Sequence, residues 1–251
     1  MGKQNRTVVD EIVASLCRSI FRGEHKPGDN LPPLRQMASE YGVTLPTMQR
    51  VVARMEELGV VYARQGSGVK VLEPLHHAAP AAMVFWLDVL QDRPGEAMEF
   101  VASFVQVRRE LAVSYLCELR EAGVSKVEAE RMLKDVEHFE QRVEEGVSLD
   151  EAMELDFGVM RGWLGLRPKV AVFVILNMFE QLVSSTQVMK EAVYDHPERN
   201  VLGYRAVYDA FMDRGLKQEV FKREVTGLLA TFDMISLARF EAMLGTRKCD
   251  V

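Results

Sequence analysis

Leu34-Arg35-Gln36-Met37-Ala38-Ser39-Glu40-Tyr41-Gly42-Val43-Thr44-Leu45-Pro46-Thr47-Met48 is the stretch whose reading decides how the first part of this 251-residue chain folds. Leu34 to Tyr41 reads as a short helix that Gly42 ends. Thr44 is a good N-cap for the next helix, and Pro46 is tolerated in its first turn, where no amide donor is needed. Met48, Val51, Val52, Met55 and Leu58 then return at helical spacing, which gives that helix one apolar stripe before Gly59 stops it. Two helices joined by so tight a turn make a helix-turn-helix, in which the second helix is left to project.

Upstream, Ile12, Leu16 and Ile20, with Val8, Val9 and Val13, predict an amphipathic helix over 7–22 that Gly23 stops. Lys26-Pro27-Gly28-Asp29 turns the chain. Downstream, Val60–Arg64 and Val69–Val71 read as strands, and Gln65-Gly66-Ser67-Gly68 supplies the glycines a hairpin needs. Three helices and a glycine-tipped hairpin are the winged helix-turn-helix plan, placed in residues 1–72. Leu72 to Pro80 holds two prolines and no periodicity, so 73–81 is expected to be a linker. From 82 to 251 nearly everything reads as helix, over roughly 81–91, 96–122, 126–145, 149–165, 168–194, 199–214 and 216–245. Ser125…Glu128 and Ser148…Glu151 look like capping boxes, and Gly123 and Gly146 suit the helix ends before them. The fold class expected is mainly α, a winged helix-turn-helix followed by an all-α antiparallel bundle.

Hydrophobic residues make up 48% and charged residues 27%, which provides a core and argues against disorder. No apolar run approaches the roughly 18 residues of a membrane span, and the start of the chain lacks a signal-peptide core. A cytoplasmic protein without a membrane partner is therefore expected. Cys17, Cys117 and Cys249 have neither metal nor redox spacing and read as plain thiols. The net charge is −6, yet it is unevenly spread. Residues 1–71 carry ten Lys/Arg against seven Asp/Glu, net +3, and residues 72–251 twenty-one against thirty, net −9. A basic module on an acidic body suggests a nucleic-acid partner. No nucleophile with a matched base, no phosphate loop and no metal cluster appears, so neither an enzyme nor a cofactor is expected.

Ile20-Phe21-Arg22-Gly23-Glu24-His25-Lys26-Pro27-Gly28-Asp29-Asn30-Leu31-Pro32, Leu34-Arg35-Gln36-Met37-Ala38, Leu58-Gly59-Val60-Val61 and Arg64-Gln65-Gly66-Ser67-Gly68 together resemble the GntR family of bacterial transcription regulators over residues 8–71. The resemblance implies that Arg35 contacts DNA and that Thr44 and Thr47 bond phosphate at the head of the recognition helix. Gln49 falls where many members carry an arginine, and a glutamine there can read adenine. Arg50 and Arg64 are placed to bond phosphate, and Gly66 and Gly68 match the wing tip. Arg50 and Arg54 also fit a plain solvated face. Leu45 and Pro46 depart from the family's usual arginine and threonine, so Leu45 stands at a DNA-facing position without a guanine-reading side chain.

The helical part is similar to the FadR-like subfamily, through Glu154-Leu155-Asp156-Phe157-Gly158-Val159-Met160-Arg161-Gly162, Leu176-Asn177-Met178 and Tyr204-Arg205-Ala206-Val207-Tyr208. Many members hold a divalent metal with one Asp and three His. Here Asp156 is kept, but Met160, Tyr204 and a position near Thr226 replace the imidazoles, and His138 and His196 lie elsewhere, so no metal is expected. The resemblance then points to long-chain acyl-CoA or another amphipathic anion as effector, with a small carboxylate as the alternative. Arg108, Arg109, Asp156, Asn177, Tyr204 and Phe232 are the residues it places at the effector. Arg108 or Arg109 would pair the anion, or form a surface ion pair. The fourteen Met and twelve Phe could line an apolar cavity, or simply fill a core. The implied protein is a homodimeric repressor on a pseudo-palindromic operator in double-stranded DNA. The other class left open is a DNA-architectural protein whose helical half only dimerises.

Overall fold

The computed structural model describes residues 7–64, 66–90 and 92–246, and the chain divides into two compact units, the first ending at Arg93 and the second beginning at Pro94. In the first, α1 (Val8–Phe21), α2 (Leu34–Glu40) and α3 (Leu45–Glu57) carry the predicted stripes inward. Ile12, Leu16 and Ile20 share one core with Met48, Val51, Val52 and Met55. Cys17 is buried there, and burial pushes its thiol up to about 12; Cys249 lies outside the described residues. Strands β1 (Val61–Arg64) and β2 (Gly68–Val71) pair antiparallel, with Val61 opposite Val71 and Arg64 opposite Gly68. The turn after α1 lays its backbone on this hairpin: Leu31 N donates to Val69 O at 2.8 Å and Val71 N to Asp29 O at 2.8 Å. Gly59 does more than end α3. Its φ is +68°, and a β-carbon there would lie 2.0 Å from the His77 carbonyl oxygen.

The expected linker is more structured than its prolines suggest. Pro74–His77 forms a helical turn, α4, Pro80–Ala82 a 3₁₀ turn, and Met83–Leu90 the helix α5. Trp86 of α5 stacks on Phe21 with ring centroids 6.5 Å apart, and Arg18 pairs with Asp88 at 3.4 Å. The first unit thus runs to Arg93 instead of ending at 72, and the second begins at Pro94 instead of 82. The reason is apolar cover: Met83, Phe85, Trp86 and Val89 pack on the core that α1 contributes to.

The second unit is all helical: α6 (Pro94–Ala122), α7 (Lys126–Glu145), α8 (Leu149–Leu164), α9 (Val170–Ser185), α10 (Gln187–Tyr194), α11 (Pro197–Met212) and α12 (Gln218–Thr246). α6 and α12 run antiparallel, since Arg109 meets Asp233 while Gln218 Nε2 donates to Cys117 O at 3.0 Å. Leu119, Met132, Val136, Phe139 and Phe221 are central to its core. Ser125 and Glu128 form the predicted capping box of α7. Ser148 caps α8 through Glu151 N at 3.2 Å, but the Glu151 carboxylate is taken by Arg142, so the second box is half made. The single helix predicted over 168–194 is two helices bent by 106°. Thr186 is extended, φ −129° and ψ 135°, and its hydroxyl accepts from Met189 N at 3.2 Å, which starts α10 afresh. No single described helix is long and apolar enough to cross a membrane.

Candidate functional site

In the first unit the predicted residues are spread over α2, α3 and the hairpin, and all but Leu45 and Thr47 are exposed. Thr44 N-caps α3, its oxygen 3.4 Å from Thr47 N, and the two hydroxyls are 2.9 Å apart. The N-cap contact and the two hydroxyls that the resemblance assigns to phosphate are therefore one pair. Leu45 opens the helix half-buried, while Gln49 and Arg50 are exposed on the face opposite Met48, Val51 and Val52. Arg35 is exposed in the first turn of α2. Arg64 is exposed at the end of β1, and Gly66 and Gly68 form the tip with φ of +81° and +84°, conformations closed to most side chains. Gln65 of the predicted tip lies outside the described residues. Among the described residues no carboxylate pairs with Arg35, Arg50 or Arg64, whereas Arg54 is held by Glu57 at 2.6 Å. Tyr62, 55% exposed, stands opposite exposed Lys70 on the hairpin. Strand alternation, which buries Val61, Val69 and Val71, could have singled that outer pair out.

In the second unit a cavity of about 190 Å³ opens between α6, α8, α9, α10, α11 and α12. Phe104, Phe157, Leu176, Phe179 and Val183 give it apolar walls, and its polar groups gather around Asp156. Asp156 is buried. Its Oδ2 accepts from the Tyr194 hydroxyl at 2.8 Å and its Oδ1 from Asn200 Nδ2 at 3.5 Å, while the Tyr204 hydroxyl donates to its backbone carbonyl at 3.2 Å. Burial pushes the Asp156 carboxyl above its usual range, against the pull of the tyrosine hydroxyls and of Arg108. Burial and the neighbouring Asp156 push both tyrosines well up. Arg108 Nη2 lies 2.6 Å from Asp233 Oδ1 and Arg109 Nη1 2.5 Å from Asp233 Oδ2. One carboxylate thus serves two guanidiniums. Two buried atoms of this group, Arg108 Nε and Asn200 Oδ1, have no hydrogen-bond partner.

The structure brings Arg108, Arg109, Asp156, Tyr204 and Phe232 to this cavity, together with Met160. Phe232 also rests against α11, where a β-carbon on Gly203 would lie 2.8 Å from its ring. Asn177 does not join them: it is exposed on the outer face of α9, because the same helix turns Leu176 and Phe179 inward. Thr226 is also absent from the walls, and its hydroxyl donates to Lys222 O at 2.7 Å. The arginines were expected to await an anion or pair at the surface; instead both hold Asp233, whose side chain is only 3% exposed. His196 lies between Asp195 and Glu198, with Nδ1 3.1 Å from Glu198 Oε1. Among the described residues no three His, Cys, Asp or Glu side chains gather as metal ligands. Asp233, Tyr194 and Asn200 escaped the sequence. An acid inside Leu228-Leu229-Ala230-Thr231-Phe232-Asp233-Met234-Ile235 was a usable signal, since charges in apolar runs are paired when buried. Tyr194 and Asn200 offered none.

Residues 8–71 match the family described as bacterial regulatory proteins, gntR family. The chain is 34% identical over 80 residues to an uncharacterized HTH-type transcriptional regulator of Mycobacterium tuberculosis, Rv0494, which covers 32% of this chain and 33% of that one. It spans, then, about a third of that relative's length. It is 28% identical over 137 residues to another uncharacterized HTH-type transcriptional regulator, YhcF of Bacillus subtilis, covering 55% of this chain and 93% of that one. In overall fold it resembles the solved structure of Lar, described as controlling expression of the Listeria monocytogenes agr system, with a TM-score of 0.53 and 14% identity over 93% of this chain and 98% of that chain.

Proposed function

We propose, from the GntR-family DNA-binding domain that residues 8–71 form, that this chain is a ligand-responsive transcription regulator. It binds a pseudo-palindromic operator as a homodimer and releases it, as a repressor does, when an acid occupies the helical cavity. The observation that carries this reading is the pairing of functions on one chain. One unit offers α3 with Arg50 uncommitted, and the other encloses an apolar cavity with a charged end. One short recognition helix reads too few bases alone, so two copies are required for a specific site. A volume of about 190 Å³ suits a compact acid, since roughly 150 Å³ already holds a benzene. An acyl-CoA would leave its nucleotide outside, which places it behind a small carboxylate as effector. The ligand shifts operator affinity only by its preference between two arrangements of the chain; a coupling of ~1–3 kcal/mol changes occupancy by tens of fold.

The test is to select operators from random duplexes, then titrate them with and without compact acids while following anisotropy. A two-fold symmetric consensus, bound by a dimer and weakened at least fivefold by an acid, is the expected result. A selected DNA whose binding no compact acid or acyl-CoA alters would leave the DNA-architectural reading in its place.

A further inference from the structure

Two orphaned atoms at the polar end of the cavity specify what an occupant must present there. Arg108 Nε is a donor and Asn200 Oδ1 an acceptor; both are buried, and neither has a partner. Asn200 is 4% exposed and lines the cavity, as does Arg108. They belong to one end: Asn200 Nδ2 is committed to Asp156 Oδ1, and Arg108 sits close enough to Asp156 for the two groups to attract. The opposite amide orientation would set the Asn200 carbonyl against a carboxylate oxygen. Buried polar atoms are almost always satisfied, and leaving one unpaired is unfavourable. An occupant that satisfies both must therefore carry an acceptor for Arg108 and a donor for Asn200 at the same end, with an apolar remainder against Phe104, Leu176 and Phe179.

We infer that the cavity selects a compact hydroxy acid, with its carboxylate on Arg108 Nε and its hydroxyl donating to Asn200 Oδ1. This rests on the reading of the cavity as an effector site and names the ligand chemistry within it. The acid supplies the acceptor: two guanidiniums share the Asp233 carboxylate, and both oxygens of Asp156, the other carboxyl at this end, are taken by Tyr194 and Asn200, which leaves Arg108 Nε to the acid. The donor is a hydroxyl and not an ammonium, because a third cation would be desolvated beside Arg108 and Arg109. Asn200 is then the residue that reads the hydroxyl.

Calorimetry on the full chain with four compounds of one carbon skeleton tests this: 2-hydroxy-4-methylpentanoate, 4-methylpentanoate, 4-methyl-2-oxopentanoate and leucine. The hydroxy acid should bind about tenfold or more tighter than the other three, because each of them leaves an atom unpaired or adds a charge. In Asn200→Leu that preference should shrink to within about threefold while the acids still bind. The wild-type panel decides the matter even if the variant does not fold. Equal binding of the deoxy or the oxo acid overturns the hydroxyl reading and leaves the effector cavity standing. Leucine binding as tightly as the hydroxy acid overturns the choice of donor. Absence of heat from all four overturns both this inference and the compact-acid effector beneath it.

Discussion

Arg35, Arg50 and Arg64 in the first unit stand in water, whereas Arg108 and Arg109 in the second are pinned on an Asp233 side chain that is 3% exposed. The same guanidinium serves two ends. In water its donors stay available for a polyanion, and counterion release supplies the affinity. Beside a cavity it must be compensated before any ligand arrives, because an unpaired buried charge destabilises the fold. The first kind of site is tuned by residues that contribute little to stability. The second kind is part of what holds the bundle together.

Asp233→Ala should break that contrast most visibly. It strands two partly buried guanidiniums, and removing one partner of a buried pair costs ~3–5 kcal/mol, here at the lower end because both arginines keep some solvent. Urea unfolding followed through Trp163 in a Trp86→Phe background reads it; a loss below about 1 kcal/mol would mean that water compensates the arginines already. Arg35→Ala should be its mirror image. Operator affinity falls by ~1–3 kcal/mol if the side chain meets a base, or the salt slope falls by about one if it meets phosphate, while stability stays within ~0.5 kcal/mol. Unchanged affinity at every salt concentration removes Arg35 from the interface.

Thr44→Ala sits on the border between the two kinds of site. Loss of the α3 N-cap should lower the first unit's stability by ~1 kcal/mol, and it also frees the Thr47 hydroxyl, so operator affinity should fall with it. A stability loss with unchanged affinity would confine Thr44 to capping. The smallest effect belongs to Glu128. Hydrogen bonds from Arg167 and from Ser125 hold its carboxyl down to about 2, against an ordinary 4.5. A depressed folded value means stability that is complete above pH 4.5 and lost as the pH falls toward 2. Glu128→Gln should flatten the urea midpoint across that window and leave operator binding alone. An unchanged acid limb would show that Glu128 contributes nothing to it.

Element ends were legible wherever a cap is local. Thr44, Ser125, Gly59 and Gly146 each act on a backbone within three residues, so type and spacing suffice. The break at Thr186 was not, because the apolar periodicity of Val170–Ser185 runs on through Val188 and Met189 and masks the extended residue between them. The start of the second unit was misjudged for a related reason. Met83, Phe85 and Trp86 read as helix, but which core they would cover is a question of distant contacts. Glu151 shows the same limit in one side chain: Ser148 invites a capping box, and Arg142 wins the carboxylate instead.

By itself, the sequence determined the helix-turn-helix, its wing and the face that meets solvent, because turns, caps and stripes depend on neighbours a few residues apart. It also determined that the rest is helical. Only the tertiary structure decided the cavity's polar end. Asp156 bonds residues 38 and 44 positions away, and Arg108 meets Asp233 across 125. No local pattern encodes such pairings, since burial removes water as an alternative partner and leaves each charge to whichever group the packed helices bring within reach.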